Sequence, residues 1–210
     1  VFQIVYYFFS YFKLAKEDEK INFSVPTGNF GDILAGYIAK MMGLNINMLN
    51  IATNDNDILT RTLNSGLHEL RSVKETISPS IDIQISSNFE RLLFDLIKDS
   101  AVVSDLMDEL NKSGSYTLSK NVLDLLRDNF CSFSVPEKEV NATIKEIYLK
   151  YNIIIDPHTA VGFASSEKCA NQYDLRVILS TAHPSKFKDT VSKILNTESF
   201  ITDKVKNIMN

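Results

Sequence analysis

Residues 24–43, SVPTGNFGDILAGYIAKMMG, decide how the rest of the chain is read. A proline, four glycines and a run of apolar residues at helical spacing share these twenty positions. The segment just before, INFSV (21–25), is β-branched and aromatic, as suits a buried strand, and Pro26 and Gly28 end it. From Asp32 onward Ile33, Leu34, Tyr37, Ile38, Met41 and Met42 recur with the period of a helix, and Gly43 suits its C-terminal cap. INMLNIA (46–52) then reads as a second strand. Strand, glycine loop, helix and strand make a βαβ unit whose two strands run parallel.

Working outward, TNDNDILTRTLNSG (53–66) gives a polar turn and a short helix ending near Gly66. SSNFERLLFDLIKDS (86–100) carries a 3.6-residue period through Phe89, Leu92, Leu93, Leu96 and Ile97, with Ser87 and Asn88 as cap candidates. AVVSDLMDEL and SKNVLDLLRDNF read as two short amphipathic helices around the turn NKSGS. FCSFSV (130–135) alternates like a strand, and EKEVNATIKEIYLKY (137–151) is a helix with a charged outer face. DPHTAVGFASSEKCAN (156–171) opens with Asp156 as N-cap and Pro157 in the first helical position. YDLRVILST (173–181) is the last strand, with a helix in HPSKFKDTVSKIL after it. The fold class expected is α/β, a largely parallel sheet flanked by helices, with ligands at the carboxyl ends of strands. Two such ends stand out: PTGNFGD after the first strand and STAHP after the last.

Composition narrows the partners. At 210 residues and 44% hydrophobic, the chain can bury a substantial core. A net charge of −4, from 22 basic and 26 acidic residues spread along the chain, supplies no basic stripe for nucleic-acid phosphates. His68, His158 and His183 are scattered, so no metal-ligand spacing is visible. Cys131 and Cys169 stand far apart without CxxC spacing and read as buried reduced thiols in a reducing compartment, ahead of a disulfide or a nucleophile; a cytoplasmic location is expected from the lack of a recognisable targeting signal. The opening VFQIVYYFFSYFKL has no basic flank and no cleavage site, and falls short of the ~20 apolar residues that span a bilayer. It reads as a buried helix, with no membrane role.

A glycine loop between strand and helix turns several backbone N–H groups toward one point, where the helix dipole adds about half a positive charge. Gly28 and Gly31 permit close approach, and the Asn29 amide adds a donor. The pattern is neither GxGxxG nor GxxxxGK[ST], which weakens a dinucleotide or Walker-type reading. Asp32 would repel a free anion, which favours a more structured ligand. A plain connecting turn stays open on spacing alone.

SVPTGNFGDILAGYIAKMMGL closely resembles the phosphate-loop segment of threonine synthases, pyridoxal-phosphate enzymes that convert O-phosphohomoserine to threonine. IATNDNDIL (51–59), SPSIDIQISSNFERLL (78–93), DPHTAVG (156–162) and STAHPSKF (180–187) resemble further family motifs in family order, and QIVYYFFSYF resembles the segment before the loop. The likeness spans nearly the whole chain and looks nearest to the fungal-type branch. It implies a tryptophan-synthase-β-like (fold type II) architecture. It also implies that Gly28, Asn29, Phe30, Gly31 and Asp32 hold the phosphate of pyridoxal 5'-phosphate, chiefly through main-chain N–H groups. Thr181 is implied beside the pyridine nitrogen, where a neutral hydroxyl does not enforce protonation; Ser180 is the neighbouring alternative.

Other roles are less defined. Asn88 and Arg91 are candidates for substrate contact, Arg91 as a bidentate anion binder, against a plain ion pair with a neighbour. His158 and Thr159 lie at a helix N-terminus, a place for an anion, although Asp156 and Pro157 explain that start as capping. Asn54 and Asp55 follow the second strand and read as helix caps.

The largest departure from the family is an absence. The lysine that such enzymes bond to the cofactor lies well upstream of the glycine loop, and Lys13, Lys16 and Lys20 match no such motif. The chain is therefore expected to be a C-terminal, cofactor-binding portion (1–210) whose opening helix (1–20) continues from a missing N-terminal part, inactive alone. Two alternatives remain: a threonine synthase-like phospho-lyase that eliminates phosphate without making threonine, and a non-catalytic truncated remnant with an exposed apolar face. A dinucleotide-binding domain is a more distant one.

Overall fold

The computed structural model of the chain describes residues 2–169 and 175–197. Its centre is a parallel sheet of β1 (Ile21–Pro26), β2 (Ile46–Thr53), β5 (Phe130–Ser134) and β6 (Leu175–Ile178), in spatial order β5-β2-β1-β6. β1 pairs with β2 through Phe23↔Leu49 and Val25↔Ile51, and with β6 through Phe23↔Val177. The βαβ unit expected around the glycine loop is thus present, and β1 lies inside the sheet, buried along its whole length. Of the last strand expected at 173–181, positions 173 and 174 lie outside the described residues.

The two faces of the sheet follow from the period of two along each strand. Ile21, Phe23 and Val25 of β1 join Leu49, Ile51 and Phe130 in one core. That core is closed by α2 (Gly31–Met41), α3 (Ile58–Ser65), α4 (Phe89–Ile97) and α6 (Lys120–Arg127). The alternate positions are polar and face α8 (Pro157–Cys169). Ser24 Oγ donates to the Gly162 carbonyl at 2.6 Å, and Asn50 Nδ2 donates to Ser24 Oγ at 2.8 Å and Ser165 Oγ at 2.9 Å. Gly162 makes this approach possible, because a Cβ there would lie 3.1 Å from Ile178 and 3.2 Å from Pro26. α7 (Glu137–Tyr151) covers α8, and Val140, Ile144, Val161 and Ala164 form a second core.

The periphery holds α1 (Ile4–Leu14), α5 (Ser100–Ser113), α9 (Lys188–Leu195) and an antiparallel pair of β3 (Leu67–Glu69) with β4 (Ser115–Thr117). Three residues per strand carry too little alternation to be read from sequence. Asp99 caps α5 by accepting from Ala101 and Val102 N–H, and Gly66 ends α3 with φ +79°.

Three expectations are corrected. The opening helix is not buried: Tyr7 is the residue of α1 that is fully enclosed, its ring against Gly36, while Phe2 is 90% and Phe12 74% exposed. Apolar residues surround α1, but one face of it meets α2. Val5, Tyr6 and Phe9 stand outward, as do Met41 and Met42 on α2. Among the described residues no helix is long and apolar enough to cross a membrane. Asn54 and Asp55 do not cap α3, whose N-cap is Asp57. Asn54 is instead buried in a polar knot, donating to Thr76 Oγ1 at 2.8 Å and Asp82 Oδ1 at 2.6 Å. Finally, Cys131 and Cys169 are joined in a disulfide, with Cα atoms 6.2 Å apart. Thirty-eight residues separate them in sequence, and only the packing of α8 on β5 brings them together. The argument for a reducing compartment from these cysteines therefore loses its basis.

His68, between α3 and β4, stacks on Tyr116 at a centroid distance of 4.7 Å and on Phe89 at 5.6 Å. Burial pushes its imidazole down from an ordinary 6.5 to about 4, with Arg61 adding repulsion. Between those values the unfolded chain takes up a proton that the folded chain refuses, so stability falls as pH drops from 6.5 toward 4. Urea unfolding at pH 7 and pH 4.5 is expected to show His68→Phe free of about 2 kcal/mol of this acid loss, with other groups' contributions unchanged.

Candidate functional site

The loop after β1 and the loop after β6 open onto one cavity of about 810 Å³. Its walls include Gly28 to Asp32, Ser80, Asn88, His158, Thr181 and Lys186. The first helical bond of α2 runs from Leu34 N–H to the Phe30 carbonyl at 3.0 Å. The N–H groups from Gly28 to Ile33 consequently have no protein acceptor among the described residues. Such a row of donors at a helix start, on a cavity wall, suits a phosphate oxyanion.

Phe30 explains how this turn is held. It is non-glycine with φ 64°, a left-handed conformation that costs about 1 kcal/mol or more. Its side chain is buried between Phe89, at 5.2 Å, and Phe130, at 5.8 Å. Burying an aromatic ring contributes about 2–3 kcal/mol and outweighs the strain. The side chain anchors the loop in the core, and the main chain is what faces the cavity.

A second segment braces the loop from outside. Ser86 Oγ donates to the Gly28 carbonyl at 2.6 Å, and Asn88 donates to the Asn29 carbonyl from Nδ2 at 2.9 Å and from its own N–H at 3.2 Å. Ser87 Oγ donates to Asn29 Oδ1 at 3.2 Å, which leaves the Asn29 NH₂ group for a ligand. Asn88 is therefore tied to the loop and does not cap α4 with its side chain. Arg91 is not brought to this cavity. It lies exposed in a separate groove with Phe94, Val103 and Met107.

Asp32 is tied to α1. The Tyr7 hydroxyl donates to the Asp32 carbonyl at 2.8 Å and lies 3.3 Å from its carboxyl. Burial pushes the carboxyl up from the usual carboxylate range, although the Tyr7 hydrogen bond opposes this.

Across the cavity, Asp156 organises the start of α8. Its carboxylate accepts from His158 N–H at 2.9 Å, from His158 Nδ1 at 2.9 Å and from the Thr159 hydroxyl. Burial favours protonation of Asp156, but these hydrogen bonds overcome it and hold the carboxyl below its usual range. His158 and Thr159 are 2% and 6% exposed and spend their polar atoms on the protein. The Ser180 hydroxyl is drawn into the same group, 3.3 Å from Thr159 Oγ1. Thr181, one residue on, stays exposed on the cavity wall. Ser80, Tyr6 of α1 and Lys186 also line the wall; they lie inside motif segments quoted above, but nothing in those segments singled them out individually.

Gly28 is the steric keystone. A Cβ there would lie 2.4 Å from the Ser80 carbonyl oxygen, a backbone atom that cannot move aside cheaply. At Gly31 the nearest atom is the Asn88 amide nitrogen, at 3.3 Å, on a side chain that can yield. Gly28→Ala is expected to cost about 2–3 kcal/mol in urea unfolding, and Gly31→Ala less than about 1 kcal/mol.

Comparison with known proteins gives this geometry a family. Residues 159–210 match the family model described as threonine synthase, C-terminal. Threonine synthase of Saccharomyces cerevisiae is 44% identical over 92% of this chain and 42% of its own length. The crystal structure of PLP-bound threonine synthase from Brucella melitensis matches with a TM-score of 0.94 and 47% identity, over 99% of this chain and 45% of that one. The yeast threonine synthase crystal structure matches with a TM-score of 0.90 and 40% identity, over 99% of this chain and 46% of that one. The chain spans somewhat under half the length of these relatives. The likeness covers nearly all of this chain, and what it matches is a portion of the threonine synthases that includes their C-terminal segment.

Proposed function

We propose that this chain is the cofactor-phosphate-holding portion of a threonine synthase, which converts O-phospho-L-homoserine and water to L-threonine and phosphate, a carbon–oxygen lyase reaction. The observation that carries the reading is the row of unpartnered N–H groups from Gly28 to Ile33 on a cavity wall, in a chain 47% identical to a protein solved with PLP bound. When bound, pyridoxal 5'-phosphate supplies an electron sink for carbanion chemistry at the substrate.

The residues present fit its phosphate end. Gly28, Asn29, Phe30, Gly31 and Asp32 donate main-chain N–H groups, and the Asn29 amide adds a side-chain donor. Thr181, on the cavity wall, would offer a neutral hydroxyl to the ring nitrogen, a choice over Ser180 supported by the engagement of Ser180 with Thr159. Asn88 acts through Asn29, and His158 and Thr159 act through the walls they brace. None of these is placed to abstract a substrate proton. That task, and the covalent bond to the cofactor, we assign to a lysine in the part of the relatives' length that this chain does not span. The outward apolar side chains Val5, Tyr6, Phe9 and Phe12 suit packing against that part.

Mixing the chain with pyridoxal phosphate, followed by borohydride reduction and peptide mapping, tests the division of labour. Binding without a stoichiometric lysine adduct is expected, weakened about tenfold or more in Asn29→Ala by loss of a charge-assisted hydrogen bond. The chain alone is expected to release no phosphate from O-phosphohomoserine. A single stoichiometric adduct, for example at the cavity-lining Lys186, would show that the chain supplies its own covalent anchor and would contradict the reading.

A further inference from the structure

His158 is bonded on both ring nitrogens to groups that leave it one arrangement. Nε2 lies 3.1 Å from the Ser80 backbone nitrogen, which can only donate, so Nε2 must accept. Nδ1 lies 2.9 Å from Asp156 Oδ1 and therefore carries the proton of the neutral ring. The second Asp156 oxygen is taken by Thr159, so the carboxylate has its own fixed place. Phe187 lies against the imidazole at a centroid distance of 4.9 Å. The ring is 2% exposed.

What His158 grips is the turn Pro79–Ile81, and that turn touches the glycine loop directly: the Ser80 carbonyl is the atom a Gly28 Cβ would strike. The far side of the same turn is fixed by the polar knot, in which Asp82 accepts from Thr76 N–H at 2.7 Å and from Asn54 and Asn56. The N–H of Ser80 and the carbonyl of Ser80 thus connect α8 on one side with the Gly28 loop on the other.

We propose that His158 is a positioning residue for the anion-binding loop: through Nε2 it holds the Ser80 turn against Gly28, so that the start of α8 sets where the loop's N–H groups point. With both nitrogens spent, the ring has no site from which to exchange a proton with a ligand, which separates this role from a catalytic one. The inference concerns the loop's geometry and rests on the cradle reading only for its consequence, tighter phosphate binding.

Three measurements on the chain test it. Long-range ¹⁵N NMR of the wild type is expected to find Nδ1 protonated and Nε2 bare; a protonated Nε2 would overturn the proposal, whatever any variant does. Hydrogen exchange is then compared between His158→Gln, whose amide oxygen can still accept from Ser80, and His158→Phe, which cannot. The Ser80 amide is expected to exchange about tenfold faster in the Phe variant, the equivalent of one lost hydrogen bond, and near the wild-type rate in the Gln variant. The Gly28 and Asn29 amide shifts are expected to move in the Phe variant alone. Unchanged protection and shifts in a cooperatively folded His158→Phe would overturn the proposal. Affinity for pyridoxal phosphate is expected to fall about tenfold in His158→Phe and be retained in His158→Gln. If the amides respond as expected while the wild type binds no pyridoxal phosphate, the cradle reading fails and the positioning role stands.

Discussion

Six consecutive backbone N–H groups, Gly28 to Ile33, have no acceptor among the described residues, and much of the rest of the structure can be understood as keeping this turn in place. A turn with so many unpaired donors has little internal stability of its own. It is held from below by the Phe30 ring, clamped between Phe89 and Phe130. It is held from outside by Ser86 and Asn88 on its carbonyls, and from above by the Ser80 turn against Gly28. Tyr7 adds a fourth restraint by bonding Asp32. These restraints come from segments dispersed between residues 7 and 130, so the loop is preorganised by the fold and not by its own sequence.

The sheet shows how the opposite wall is joined to this one. A strand buried on both faces is usually apolar throughout, yet β1 and β2 place Ser24 and Asn50 beneath α8. The hydrogen bonds to Gly162 and Ser165 satisfy those groups and fix α8 in translation along the sheet, where a purely apolar contact would allow sliding. The start of α8, with Asp156 and His158, is placed by that register. The disulfide at the other end of α8 ties it to β5 as well.

Much of this was legible in the chain itself. The βαβ unit, the parallel sheet and the glycine loop between strand and helix follow from periodicity and from glycine and proline punctuation around residues 21–52. The helices α4 to α7 follow from their apolar spacing, and α8 from its Asp156–Pro157 start. What failed to show depended on contacts between distant segments. Whether the apolar α1 is buried is decided by how many neighbours reach it, a quantity no local pattern contains. Asn54 looks like a cap next to a helix start, and becomes the centre of a knot only because Thr76 and Asp82 fold back on it. Arg91 is spaced to face the loop with Asn88, but three residues along α4 place it in another groove. The left-handed Phe30 breaks the local rule that such a turn takes glycine, and only its burial between Phe89 and Phe130 makes that conformation tenable.

Whether the donors of residues 28–33 converge on a phosphate is decided by titrating the ¹⁵N-labelled chain with inorganic phosphate and following its backbone amides by NMR. Convergence means saturable downfield shifts confined to the amides of Gly28 to Ile33 and the Asn29 side-chain amide. Saturable shifts centred instead on the Arg91 groove, or none in the loop at any phosphate concentration, would contradict it.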